Sequence, residues 1–304
     1  MSGAVEWIAV DWGTSTLRAW GIGEGGSLLW QVQSDRGMGT LAPGAFETAF
    51  LELIIPQVGD DEEPLDVIAC GMVGARQGWA EAAYRPVPCR PLDPALIRAP
   101  TLSPRLGFRI VGGLCQHRPA DVMRGEETQV AGFLSLNPAF DGVICLPGTH
   151  TKWVHISAGE VVSFQTCMTG DLFAAISRHT VLRHSVITED WNETAFSEAV
   201  SDTVSRPERL AAKLFSLRAE GLLDGLAPGT ARARLSGLLI GAELASARPY
   251  WLGQDLAIVG ARGLSKLYAS ALSGLGVTAT IADGDGMVLK GLAAARALSA
   301  EYNS

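Results

Sequence analysis

Two stretches of this chain spell nearly the same loop. "AVDWGTSTLRAW" near the start and "CLPGTHTKWV" far downstream each place an apolar run before Gly-Thr-x-Thr and then a basic residue, Arg18 in one and Lys152 in the other. The likeness continues past the loop. "WIAVD" is a short apolar run bounded by a glycine turn and reads as a strand, and "LRAWGIG" and "LLWQVQS" flank "EGG" as a hairpin. "GVICL" is again a strand, followed by "KWVHI" and "VVSFQT" on either side of "SAGE". Gly13 and Gly148 stand 135 residues apart, too far for a solenoid and suited to two related half-molecules. With 304 residues the chain is long enough for two cores of ordinary size.

Between and after these units the pattern is strand and helix in alternation. "DVIACGMVG" and "FRIVGGL" read as strands ending in glycine, and "MRGEETQVAGFLSL" as a helix with a polar first turn. Helical patterns follow at about 205–221 and 231–247. Then come a strand "LAIVGA", a helix "LSKLYASALSGLG" closed by glycine, a strand "VTATIAD" and a final Ala/Leu-rich helix from about 286. This order predicts α/β domains with largely parallel sheets beyond the opening hairpins. The Pro-rich stretch "RPVPCRPLDPALIRAPTLSP" is expected to be an irregular excursion.

Composition removes several functions. A formal charge of -8 with no Lys/Arg-rich arm gives no field for a nucleic-acid backbone. No stretch approaches the roughly 20 apolar residues that span a bilayer, and Glu6 and Asp11 interrupt what would be the core of a signal peptide. The expectation is a cytoplasmic protein, with homo-oligomerisation left open. Five scattered cysteines without C-x-x-C read as reduced thiols. The pairs His150/His155 and His179/His184, each five apart, do not suit a metal site.

A strand followed by Gly, Thr and Ser offers backbone N–H groups and hydroxyls to phosphate oxygens. Two such loops at the starts of two similar halves suit a polyphosphate. Asp11 ends the first strand, where a loop serving phosphate alone would prefer neutrality, and so reads as the holder of a hydrated Mg²⁺. The second loop has Leu146 and Pro147 instead, so the metal role falls to the first. No G-x-x-x-x-G-K-[ST] occurs and no G-x-G-x-x-G directly follows the first strand, which sets aside Walker NTPases and Rossmann dehydrogenases.

"DWGTSTLRAW", "LPGTHTKWV" and "LAIVGARGLSKLYASAL" resemble, in order, the first phosphate, second phosphate and adenosine motifs of the actin, hexokinase and Hsp70 ATPase superfamily. Within it, "GMVGARQGW", "VMRGEETQ", "MTGDL" and "LSGLLIGAELAS" are similar to the short sugar-acid kinases of the 2-dehydro-3-deoxygalactonokinase family, across nearly the whole chain. The resemblance implies two ribonuclease H-like lobes flanking an ATP cleft, 1–125 and 138–304, connected by a helix at 126–137. It implies phosphorylation of the terminal hydroxyl of 2-dehydro-3-deoxy-D-galactonate by ATP with Mg²⁺. A related acid such as 2-dehydro-3-deoxygluconate, or a non-catalytic sugar or nucleotide sensor, is the alternative.

Such a reaction needs a carboxylate to accept the hydroxyl proton. The base of related kinases sits in a Gly-Asp motif opening a helix, and Gly125-Glu126 occupies that place; Glu127 and Asp171 remain alternatives. The resemblance further implies ATP contacts from Gly13, Thr14, Ser15, Thr16 and Arg18 in the first loop and Gly148, Thr149, Thr151 and Lys152 in the second. Gly260, Ala261, Gly263 and Ser265 complete its nucleotide set. An arginine should meet the substrate carboxylate. Arg76, Gln77 and Arg124 are the candidates near the sugar acid, with Trp79 stacking on its carbon chain.

Overall fold

The structure is a computed structural model and describes residues 4–59 and 63–302. The chain forms two compact units, Met1–Phe140 with Ala158–Val162 and Asp285–Ser304, and Asp141–Ser157 with Ser163–Gly284.

The first unit holds β1 (Trp7–Trp12), β2 (Leu17–Ile22), β3 (Leu28–Ser34), α1 (Phe46–Val58), β4 (Leu65–Gly71), β5 (Tyr84–Pro86) and β6 (Ile97–Arg98). It continues with β7 (Leu106–Ile110), β8 (Gly113–His117), β9 (Ala120–Met123) and α2 (Glu126–Leu136). Its main sheet has the order β3-β2-β1-β4-β7-β6, with β5-β8-β9 as a small second sheet. The expected hairpin is present: β1, β2 and β3 are antiparallel in succession, whereas β1, β4 and β7 run parallel.

Alternation along β1 explains how this sheet is covered. Ile8, Val10 and Trp12 face a core with Phe46, Phe50 and Ile54 of α1, while Trp7 and Ala9 face Ala131 of α2 and residues of the last helix. Trp12 is fully buried, with Phe46 and Phe50 rings 5.5 and 6.3 Å away. Burying such a side chain contributes about 1.5–3 kcal/mol.

The second unit contains β10 (Gly142–Leu146), β11 (Thr151–Ser157), β12 (Glu160–Cys167) from Ser163 onward, α3 (Thr169–His179), α4 (Arg183–Val186), α5 (Glu193–Ser205) and α6 (Leu210–Leu223). It closes with α7 (Pro228–Ser246), α8 (Arg248–Trp251), β13 (Leu256–Gly260), α9 (Arg262–Ser273) and β14 (Ala279–Asp283). Its sheet order is β12-β11-β10-β13-β14, with β10, β13 and β14 parallel. This repeats the strand, loop and hairpin of the first unit. Val143, Cys145 and Trp153 pack with Phe196 of α5, Ile240 of α7 and Tyr268 of α9.

The last helix, α10 (Gly284–Tyr302), belongs with the first unit from Asp285 onward, as does the whole of α2. Gly132 and Gly291 hold these two helices together. A Cβ on Gly132 would overlap the carbonyl oxygen of Met287, and one on Gly291 would overlap that of Thr128. Only glycines permit so close a backbone crossing.

Candidate active site

In the first unit the parallel register sets Asp11 beside Cys70 and Trp12 beside Gly71. Both strands therefore deliver their C-terminal ends to one edge, where open α/β sheets bind ligands. Gly71 has φ 92° there, and a Cβ on it would stand 2.8 Å from the Trp12 carbonyl oxygen and 3.2 Å from Oδ1 of Asp11. Gly125, φ 104°, comes so near that its own Cβ would lie 3.5 Å from the Gly71 Cα. Two left-handed glycines in contact thus bring the start of α2 against the strand end that carries Asp11.

Glu126 heads that helix, half-buried, and its Oε2 accepts the Arg124 backbone N–H at 3.1 Å. Glu127 is different. It is fully buried, accepting the Gly125 N–H at 2.6 Å and the Thr128 hydroxyl at 2.9 Å. Burial first, then the neighbouring Glu126 charge, push its carboxyl from an ordinary 4.5 up to about 7.

The folded chain therefore keeps this proton over a range where the unfolded chain has lost it. Folding stability drops as pH rises from about 4.5 through about 7, by about 3 kcal/mol from this group alone. Thermal melts of wild type and Glu127→Gln between pH 4.5 and 8 should show the variant losing that part of the slope. Parallel pH curves would contradict it.

Loop residues 13–16 leave Thr14 and Ser15 exposed, and the loop is tied down by Met38 N–H to Gly13 oxygen and Gly39 N–H to Thr14 oxygen, both 2.9 Å. Arg18 donates to Oδ2 of Asp11 and to Oδ1 of Asp285, each at 2.5 Å. The acidic "ADGDGM" string, which leads into the last helix, thus supplies the second carboxylate for Arg18. Arg76 and Gln77 are exposed just beyond the end of β4. Arg124 is 8% exposed, its Nη2 donating to the Ala82 oxygen at 2.7 Å and its guanidinium 4.2 Å from the Tyr84 ring centre. Trp79 donates to the Pro100 oxygen at 3.0 Å and packs 4.5 Å from the Phe108 ring. These contacts hold Arg124 and Trp79 in place within the unit, and the Nη1 of Arg124 is left buried without a hydrogen-bond partner among the described residues.

In the second unit, Thr149 accepts the Asp171 N–H at 3.0 Å, and a Cβ on Gly170 would overlap the Gly148 oxygen. The loop after β10 is thereby pressed onto the N-terminus of α3. His150 and Asp171 pair across it at 2.8 Å, both well exposed. Gly260 ends β13 beside Pro147, Ala261 caps α9, and Gly263 has open space where a Cβ would be. Thr151, Lys152 and Ser265 are buried.

Beside this loop lies a mainly apolar cavity of about 190 Å³, lined by Gly148, Gly170, Phe173, Trp191, Arg232 and Tyr268 among others. The Arg232 guanidinium stands 5.5 Å from the Phe173 ring centre. Sequence reasoning did not single out Phe173, Trp191, Arg232 or Tyr268 as lining groups. Only Tyr268 carried a signal, being inside the adenosine-like string. A larger cavity of about 630 Å³ occupies the opposite end of the first sheet, where Trp7 begins β1. Arg109 and Arg296 both donate to Asp66 there, at 2.5 and 3.0 Å, and none of the site residues above lines it.

Two units that each open on a strand, a Gly-Thr loop and a hairpin, with parallel strands behind, give the chain an actin/hexokinase-type α/β fold. More closely, the chain belongs to the 2-keto-3-deoxy-galactonokinase family, whose sequence profile matches residues 11–295. It is 43% identical over 305 residues to a protein of Rhizobium meliloti (strain 1021) named as a probable 2-dehydro-3-deoxygalactonokinase, covering 98% of this chain and 99% of that one. The 2-dehydro-3-deoxygalactonokinase of Escherichia coli (strain K12) is 33% identical over 284 residues, covering 92% and 94%. A crystal structure of a Sinorhizobium meliloti protein bearing the same activity name superposes with a TM-score of 0.88 at 42% identity, covering 95% of each chain.

Proposed function

We propose that the protein transfers the γ-phosphate of ATP to the terminal hydroxyl of 2-dehydro-3-deoxy-D-galactonate, giving the 6-phosphate and ADP in galactonate catabolism. Besides the family, the observation that carries this reading is Glu126 at the head of a helix held against the Asp11 strand end. Glu126 takes the hydroxyl proton as the sugar-acid oxygen bonds to the γ-phosphorus and the bond to the β-phosphate oxygen breaks. Glu127, without exposed surface, cannot touch substrate. It instead fixes the Gly125 N–H and so the entry to α2.

Asp11 fits a phosphate-bound Mg²⁺, since that ion keeps waters and needs only one or two carboxylates, and the Asp11 side chain is 20% exposed beside a hydroxyl-rich loop. The ion would neutralise phosphate charge there. Arg18 orients this carboxylate. In the first unit the exposed Thr14 and Ser15, and in the second unit Gly148 and Thr149, are the loop residues whose N–H groups are suited to phosphate oxygens. The 190 Å³ cavity takes the base, beside Gly260, Ala261 and Gly263. Arg76, exposed at the end of β4, meets the substrate carboxylate with Gln77 alongside.

The test is coupled ADP release with ATP and Mg²⁺ over a panel of 2-keto-3-deoxy sugar acids. ADP should form with 2-dehydro-3-deoxy-D-galactonate and more slowly with its gluconate epimer. No acid-dependent ADP from any member would sink the kinase reading.

A further inference from the structure

One carboxylate in the second unit is buried where no reaction step uses it. Glu243 lies in the "LSGLLIGAELAS" string on α7 and is 4% exposed. Its Oε1 accepts the Trp153 indole N–H at 2.9 Å. Its Oε2 accepts the Tyr268 hydroxyl at 2.8 Å and also the Thr169 hydroxyl. Tyr268 has one proton and gives it to the carboxylate, so the Thr151 hydroxyl, 2.9 Å away, is the donor to the Tyr268 oxygen.

These four partners come from separate places. Thr151 begins β11 directly after the Gly-Thr loop, and Trp153 is two residues on. Thr169 opens α3, the helix pressed on that loop, and Tyr268 sits on α9. Thr169 and Tyr268 also line the 190 Å³ cavity. A buried carboxylate that receives only donors is the arrangement that stabilises an anion. Burial is the largest effect and holds the Glu243 carboxyl above the usual carboxylate range, while the Thr169, Trp153, Tyr268 and Thr151 hydrogen bonds push back. A neutral core side chain would need no such convergence, and leaving the charge buried is costly unless every donor is in place.

We propose that Glu243 is a positioning residue for nucleotide binding: its buried carboxyl, through these hydrogen bonds, draws β11, α3 and α9 together and so sets the shape of the phosphate loop and the base cavity. This rests on the reading of the second unit as the nucleotide-binding one. In Glu243→Gln one oxygen becomes an amide NH₂. If the amide oxygen stays with Trp153, the NH₂ meets two hydroxyls that formerly donated, and the Thr151–Tyr268–Glu243 chain reverses direction.

The experiment measures ADP affinity by calorimetry and KM for ATP and for 2-dehydro-3-deoxy-D-galactonate in wild type, Glu243→Gln and Tyr268→Phe. Tyr268→Phe leaves the carboxylate and removes its link to Thr151, which keeps the test open if Glu243→Gln does not fold. Each folded variant should weaken ADP and raise KM for ATP by about ten-fold while KM for the sugar acid stays within about two-fold. Folded variants that bind ADP like wild type, or that lose both ligands equally, would overturn the inference. Wild type that binds no ADP would fail the nucleotide reading itself, a result separate from either variant's behaviour.

Discussion

Glu126→Gln should lower turnover by about 10²–10⁴-fold, the range for loss of a positioned general base. Glutamine keeps the length of the side chain and an oxygen for the Arg124 N–H, so the head of α2 should stay in place. What it cannot do is accept the proton of the attacking hydroxyl. KM for the sugar acid should change little, because the base acts in the transition state. Two comparisons sharpen the result. Asp171→Asn alters an exposed pair with His150 in the other unit and should leave most of the rate. Glu127→Gln acts on a carboxyl without exposed surface, so its main effect is the altered pH dependence of stability. A full rate in Glu126→Gln together with a collapsed rate in either comparison variant would move the base to that residue.

Gly132→Ala should destabilise the protein by about 2–3 kcal/mol, and Gly291→Ala by a similar amount. Helix propensity alone predicts the opposite, since alanine at an interior helix position gains about 1 kcal/mol over glycine. The sign of the effect therefore decides which term wins. Each new methyl would overlap a carbonyl oxygen of the other helix, a group that cannot rotate aside as a flexible side chain could. The helices must separate, and Ala131, Val288 and Leu292 then lose part of their packing on the first sheet. Thermal denaturation should show both variants melting about 5–10 °C lower. A raised melting temperature would show that the crossing is looser than described. Because α2 also carries Glu126, activity should decline even below the melting range.

The repeated strand, loop and hairpin were legible because their signals are local: glycine at the turn, alternation in the strands, a short apolar run before each loop. Parallel β4, β7, β13 and β14 followed from strand and helix order. Five helices, α1, α3, α4, α5 and α8, lie outside the helical patterns of the sequence, α4 and α8 being single turns of four residues. α1 has no side-chain N-cap and carries Pro56 in its last turn. α3 hides in "MTGDL", which drew notice as a motif rather than as a helix start. For α5 a signal existed, since Asn192 caps it by accepting the Ala195 N–H. The two Gly-Thr loops of the candidate site were legible because their signals are local, whereas the burial of its side chains was not. Trp79 meets Trp12, Phe46 and Phe108, partners spread widely along the chain. Nothing local in the sequence announces these aromatic contacts. The engagement of Arg124 with Tyr84, and the burial of Ser265 and Lys152, are likewise products of tertiary packing.

The return of the last helix to the first unit has a consequence for the order of events during synthesis. Domains generally fold as units, from the N-terminus, while the chain emerges. Here the strands of the first unit cannot complete their unit when they emerge, because one face of their sheet awaits Val288, Leu292 and Ala295. The second unit, whose residues end at Gly284, is fully translated before that cover arrives. Of the two units, the one whose strands come first is therefore the one completed last, and until then one face of its sheet lacks its apolar cover.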